Sequence, residues 1–163
     1  MRLRSRRGFT LIEVLVVSAI IGILVSIAAS NLRSVMNRAR QKRTMADMRS
    51  LALGAESFST DYNRYPAAAG YVLPSGLSLP TGTIGYVAPK LAPTYLRLVP
   101  MADGWNSWFT YGTDTSAGNY ILRSNGADGA PESSPPYGVT KTFNSDIILV
   151  NGSFVQLPDG LQK

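Results

Sequence analysis

Between Phe9 and Ala29 the chain is apolar on every side, and Glu13 is the one formally charged residue in that stretch. About 21 residues at a helical rise of 1.5 Å cover the roughly 30 Å of bilayer hydrocarbon, so the pattern predicts a membrane-spanning helix. Beyond Ser30 the apolar positions thin to one stripe of Leu32, Val35, Met36, Ala39, Met45, Met48, Leu51, Ala52, Ala55, Phe58 and Tyr62. Spacings of three and four are helical. No proline precedes Pro66, so one helix from Phe9 to about Tyr62, roughly 80 Å long, is predicted, its amphipathic second half lying against a soluble domain.

The pattern then changes. Pro66, Pro74, Pro80, Pro89, Pro93 and Pro100, with several glycines, make 63–104 an irregular connection holding at most a short helix or strand near Pro93 to Leu98. Ser107 to Tyr111 and Asn119 to Arg123 read as short strands. Asp146 to Val150 and Ser153 to Leu157, joined by Asn151-Gly152, read as a tight hairpin. Between these, Ser124 to Asn144 is rich in Gly, Pro and Ser and is expected to be a loop. The predicted fold class is α+β: one long N-terminal helix, its first half transmembrane, packed on a small antiparallel sheet with irregular loops. The expected divisions are 1–8 as a leader, 9–30 as the membrane half of the helix, 31–62 as its amphipathic half and 63–163 as the globular region.

A chain of 163 residues suits one modest domain plus one long extra element. Its 16 Lys and Arg against 10 Asp and Glu would suit a nucleic-acid binder, but Arg2, Arg4, Arg6 and Arg7 precede Gly8, and without them the balance is 12 against 10. The second basic cluster, Arg33, Arg38, Arg40, Lys42, Arg43 and Arg49, has no interleaved aromatics, so no nucleic-acid partner is expected. Cys and His are both absent, which removes thiol and imidazole nucleophiles, the usual zinc ligands and disulfide staples. No nucleophile elbow or phosphate loop occurs either, and no enzymatic activity is expected.

Bases flank the apolar segment on both sides. The flank before it is too short to be the exported part, so the N-terminus is expected in the cytoplasm. An ordinary secretory signal is an alternative, since Ser26-Ile27-Ala28 imitates a small-x-small cleavage site. Ser18, Gly22, Ser26 and Ser30 recur every four residues, either as a small-residue face for close helix packing or by coincidence in a segment rich in small residues. Glu13 calls for a partner in the membrane, or else it snorkels to the nearby interface.

The run Arg6-Arg7-Gly8-Phe9-Thr10-Leu11-Ile12-Glu13-Val14 resembles the signal of type IV prepilins and type II secretion pseudopilins. There a basic leader ends in Gly, the mature chain begins with Phe, and Glu is its fifth residue. Gly8 suits the scissile position because it has no side chain to obstruct a membrane peptidase. The resemblance implies cleavage between Gly8 and Phe9 by prepilin peptidase, N-methylation of Phe9, and pairing of Glu13 with the cationic N-terminus of a neighbouring subunit. In low dielectric that pairing would set axial register. The family often has Pro where this chain has Ser30.

Later blocks resemble the major (G-type) pseudopilin of type II secretion: Tyr62 to Pro66, Tyr95 to Arg97 before Pro100, Asp103 to Trp105 leading to Phe109 to Tyr111, and Ser124 to Gly129 followed by Asp146-Ile147. The resemblance implies a pilin-like fold and a subunit polymerising into a periplasm-spanning filament. A type IV pilus or DNA-uptake pseudopilus subunit is the alternative. Implied partners are other copies of the chain, minor pseudopilins, prepilin peptidase, and an inner-membrane assembly platform with its ATPase. The implied location is the bacterial inner membrane, with a periplasmic C-terminal domain and later extraction into the filament.

The family holds Ca²⁺ in its C-terminal loop. Here the implied ligands are Asp128, Asp146, the Ser145 hydroxyl and the Asn125 backbone carbonyl, hard oxygens of the kind Ca²⁺ takes. Ser145 stands where the family often has a second acid, and Asp128 also suits an ordinary turn. Trp105 and Trp108 read as core and strand-edge packing against the helix stripe.

Overall fold

Thr10 starts the helix. Its carbonyl accepts from the amides of Glu13 (3.2 Å) and Val14 (3.4 Å), its hydroxyl oxygen accepts from the Glu13 amide at 3.3 Å, and the same hydroxyl donates to Glu13 Oε2 at 3.4 Å. Threonine at the cap with glutamate three residues on is the pairing of a capping box. Helix α1 follows as Leu11–Tyr62. It passes Ser30 unbroken, as expected where no proline interrupts the backbone ladder. A computed structural model describes residues 8–68, 82–133 and 136–159. The leader arginines, Pro74 and Pro80 lie outside them.

The chain divides into two compact units, Met1–Met36 and Asn37–Lys163. In the first, the large apolar side chains from Phe9 to Ile27 are exposed, and so are Leu32, Val35 and Met36. The predicted stripe therefore packs into the core from Met45 to Phe58, and its last member, Tyr62, is exposed. Met48, Leu51, Ala52 and Ala55 are buried, while the positions buried ahead of them are the polar Gln41 and Thr44. Hydrogen bonding explains Thr44: its hydroxyl donates to Arg40 O at 3.0 Å and accepts from the Gly104 amide at 2.8 Å. Gly104 sits so close that an added Cβ would lie 2.3 Å from Arg40 O.

After the helix come a 3₁₀ turn at Ile84–Tyr86 and a short helix α2 at Ala88–Leu91 with Pro at its start. Helical structure thus precedes Pro93, where the sequence pattern had placed a short element, because Pro89 suits a first helical turn. The strands are β1 Thr110–Thr113, β2 Tyr120–Ser124, β3 Gly138–Thr140, β4 Ile147–Val150 and β5 Ser153–Pro158, in the order β1-β2-β4-β5-β3. The Asn151-Gly152 hairpin forms as expected, with φ of 47° and 80° at its two turn residues, the positive values a type I′ turn needs.

Two strand expectations change. β1 begins at Thr110 rather than Ser107, because Trp108 instead makes an isolated bridge with Ala102. β3 forms inside the expected loop and pairs parallel with β5, so the sheet is mixed rather than antiparallel. A three-residue strand entered from Gly138 at φ 102° is too short to show a period of two.

One sheet face packs on α1: Phe109, Tyr111, Tyr120, Leu122, Ile147 and Leu149 join Met48, Leu51, Ala52 and Ala55 in the main core. The other face carries Ile121 and Ile148, backed by Val150 and Val155. The tryptophans are less buried than expected. Trp105 is half-buried and donates its indole N–H to Asn37 Oδ1 at 3.3 Å, while Trp108 is 55% exposed, since its bridge position turns it away from the helix stripe.

Candidate functional site

Two regions hold the candidate residues. In the first unit Gly8 and Phe9 are exposed ahead of the helix, and an added Cβ on Gly8 would meet nothing within 4 Å. Glu13 rests on Thr10 within the same chain. The helix carrying it is long and apolar enough to cross a membrane, and its most apolar window is 0% buried. Ser18, on the small-residue spacing, returns its hydroxyl to Leu15 O at 2.9 Å, which satisfies a polar group that lipid would leave unpaired.

In the second unit the turn after β2 and the segment before β4 come together. Gly126, at φ 67°, lies against Asn144 and Ser145: an added Cβ would be 2.6 Å from Asn144 O and 2.7 Å from Ser145 O. The Ala127 amide donates to Phe143 O at 2.8 Å. This close approach, which needs glycine both for space and for its backbone conformation, brings 125–129 beside 143–146.

Within it Asp146 is fully buried. Its Oδ2 accepts from the Glu132 amide at 3.0 Å and lies 3.6 Å from Arg123 Nε. Its Oδ1 has no hydrogen-bond partner among the described residues, and neither has Asn125 Oδ1. Burial pushes the Asp146 carboxyl up to about 6, against the downward pull of the Glu132 amide and the Arg123 guanidinium. Burial also lowers Arg123, while Asp146 and Glu132 favour its charged form.

The other two implied ligands sit differently. Asp128 is exposed, with Oδ1 accepting from the Ala130 amide at 3.0 Å, and the Ser145 hydroxyl shares a 2.8 Å hydrogen bond with Thr142. Among the described residues no three His, Cys, Asp or Glu side chains form a metal-binding group. Asn125 Oδ1 and Asp146 Oδ1, buried and without a partner among the described residues, are hard donors of the kind a calcium ion takes, and for Asn125 this is the side-chain oxygen rather than the backbone carbonyl.

Sequence reasoning passed over Arg123, Glu132 and Gln156. Gln156 is fully buried and donates from Nε2 to Glu132 Oε2 at 2.8 Å. The signal was Arg123 itself: a charge inside the apolar run Tyr120-Ile121-Leu122, in a strand buried throughout, must have a partner.

Comparison with known proteins bears on both regions. Residues 3–29 match the family described as "Prokaryotic N-terminal methylation motif", and residues 31–138 match "Type II secretion system (T2SS), protein G". The "Type II secretion system core protein G" of Klebsiella michiganensis is 30% identical over 133 residues, 80% of this chain and 90% of that protein. Its namesake in Escherichia coli (strain K12) is 31% identical over 130 residues, 77% of this chain and 84% of that protein. The "Type IV major pilin protein PilA" of Myxococcus xanthus is 41% identical over 59 residues, 36% of this chain and 27% of that protein. No solved structure matches significantly. The methylation motif and the long apolar helix fit a single-pass, membrane-anchored pseudopilin. With the protein G match running over most of the chain, from the amphipathic half of α1 past β1 and β2 to the start of β3, this chain belongs to the type II secretion system protein G family.

Proposed function

We propose that this chain is made as a precursor, cut between Gly8 and Phe9, methylated on the new Phe9 amine, and then polymerised through α1 into the pseudopilus of a type II secretion system. The observation that carries this reading is the exposed apolar helix with Glu13 near its start. Before assembly Glu13 is held by its own cap residue, Thr10. Cleavage creates a cation on the residue next to that cap, and in the filament the amine of a neighbouring subunit takes over the carboxylate. In a low dielectric that exchange joins subunits in one register.

The precursor is anchored in the inner membrane with its N-terminus in the cytoplasm and residues beyond the apolar segment in the periplasm. Its partners in this reading are prepilin peptidase, further copies of itself, minor pseudopilins, and an assembly platform driven by a separate ATPase. The chain's own part is mechanical, and no step of chemistry falls to its residues after processing. The protein G relatives, matched over most of this chain, favour a secretion pseudopilus over a pilus, since the pilin match spans 36% of it.

The reading also includes a calcium ion in the C-terminal loop, held by Asp146 and Asn125 with Asp128 and Ser145 beside them. When bound, calcium would supply positive charge to oxygens that the fold leaves unpaired. Asp146 and Asn125 supply buried acceptors. Asp128 and Ser145 would join with lone pairs that their local hydrogen bonds leave over.

Terminal sequencing and intact mass of the chain extracted from membranes test the central claim. A mature protein beginning at Phe9 and heavier by one methyl group is expected, and any other start removes the amine on which assembly depends.

A further inference from the structure

Four buried side-chain atoms without a hydrogen-bond partner among the described residues lie in this region and the strands beside it: Arg123 Nε, Asn125 Oδ1, Asp146 Oδ1 and Gln156 Oε1. A folded domain rarely concentrates such atoms, because each costs desolvation free energy that a partner would offset. Two of these residues, Arg123 and Asp146, are oppositely charged. The Arg123 side chain is 6% exposed and the Asp146 side chain 0%, with Nε and Oδ2 3.6 Å apart. Around them a chain of contacts joins four stretches of sequence. Asp146 accepts the Glu132 amide, Glu132 accepts from Gln156 on β5, and Arg123 stands on β2, whose register sets it opposite Ile148 of β4.

The arrangement has a direct electrostatic reading. A buried carboxylate needs a cation, and here the protein supplies one from its own sheet. Arg123 stands on the Oδ2 side of Asp146, while the buried Oδ1 has no partner among the described residues. A second cation at Oδ1 would sit close to the first, and the two would repel in a medium of low dielectric.

We propose that Arg123 is a built-in counter-cation for the C-terminal loop, neutralising Asp146 and holding the 125–133 turn to β2 and β5 when no metal ion is bound. Calcium then competes with an internal charge and is not a condition for folding the loop. The inference deepens the calcium reading and rests on it only for the second cation. The Arg123 staple stands without it.

Hydrogen exchange measured by mass spectrometry on the full-length mature chain in detergent tests this, with peptides from 125–146 as the readout and peptides from 44–56 as the internal control for an intact body. In the wild type, exchange of the loop in EGTA and in millimolar CaCl₂ is expected to agree within about twofold. Arg123→Met leaves Asp146 buried and unpaired, so its loop should exchange about tenfold or more faster in EGTA and slow again when calcium is added. A wild-type loop that loses protection in EGTA by that factor overturns the proposal, as does an Arg123→Met loop that exchanges like wild type there.

If Arg123→Met loses protection but calcium restores none of it, the calcium reading fails and the Arg123 assignment stands. Should the control peptides of Arg123→Met also lose protection, a second pair decides. Asp146→Asn strands the guanidinium, whereas Arg123→Met combined with Asp146→Asn leaves no buried charge. The single variant should then exchange several-fold faster than the double, and equal rates would overturn the proposal.

Discussion

Two leucines on one helix have opposite environments: Leu24 is 61% exposed and Leu51 is 2% exposed. Leu51 belongs to a unit that covers its own apolar surface with strands and loops. Leu24 belongs to one whose large apolar side chains, among the described residues, all face outward. Exposed apolar surface on this scale marks an interaction with lipid or with another chain. The body folds against itself, while the N-terminal unit is complete only among lipids or other copies. In the filament reading these are the successive environments of one helix.

The largest expected effect isolates the N-terminal unit. Glu13→Ala should leave cleavage after Gly8 intact and the melting temperature of the body unchanged, yet reduce filament yield by about tenfold or more, because the neighbour's amine loses its low-dielectric partner. Electron microscopy of assembled filaments beside the intact mass of the processed chain reads both halves of that statement. Normal filaments from this variant would mean that apolar contacts alone set the register.

The leucine pair sharpens the contrast next. Leu51→Ala removes a buried side chain and should cost the body about 2–5 kcal/mol, seen as a clear loss of midpoint in chemical denaturation. Leu24→Ala should leave that midpoint in place and weaken assembly instead. A matching shift from both would join the two units into one cooperative structure.

Gly104→Ala probes a single contact within the body. Its new Cβ would meet Arg40 O at 2.3 Å, backbone against backbone, so the turn must move away from the helix. The Gly104 amide then loses the Thr44 hydroxyl. About 1–3 kcal/mol is the expected loss, again by denaturation, with the N-terminal processing untouched. An unchanged midpoint would show that the turn shifts freely.

These variants follow what the sequence made legible. The apolar run, the stripe from Met48 to Ala55 and the Asn151-Gly152 hairpin each rest on several residues obeying one period or one turn chemistry, and the structure has all three. Legibility failed where a single contact overrode the pattern. Thr44 is buried because Gly104 needs its hydroxyl, β1 starts late because Trp108 bridges Ala102, and β3 is too short to show a period. At the loop, Asp146 and Asn125 were legible only through the family resemblance, as implied calcium ligands, Asn125 by its backbone carbonyl. Arg123 was the residue to question, since it follows the apolar Tyr120-Ile121-Leu122 in a buried strand and its partner lies 23 residues further along the chain. Thr10 was in plain view as a helix cap three residues before Glu13 but drew no notice beside the cleavage motif.

The smallest expected effect lies at the tip of the β1–β2 connection, far along the chain from the N-terminal unit. Asp114 accepts from Asn119 Nδ2 at 2.8 Å, from the Gly118 amide at 2.7 Å and from the Ser116 hydroxyl at 3.1 Å. The Asn119 side chain leads in holding its carboxyl below the usual value of 3.8, with the Gly118 amide and the Ser116 hydroxyl adding to it against a smaller opposing effect of burial. A folded-state value below the unfolded one means that the unfolded chain binds the proton more readily. The resulting stability is therefore present above the unfolded value and is lost as the pH falls through the folded one. Asp114→Asn should flatten that part of the acid limb in a denaturation series and leave the neutral region less stable by a small margin, since the site is partly open to water. Such a variant should not alter filament yield at neutral pH, because the carboxylate acts only within its own turn; a loss of filaments there would place the turn at a contact between subunits.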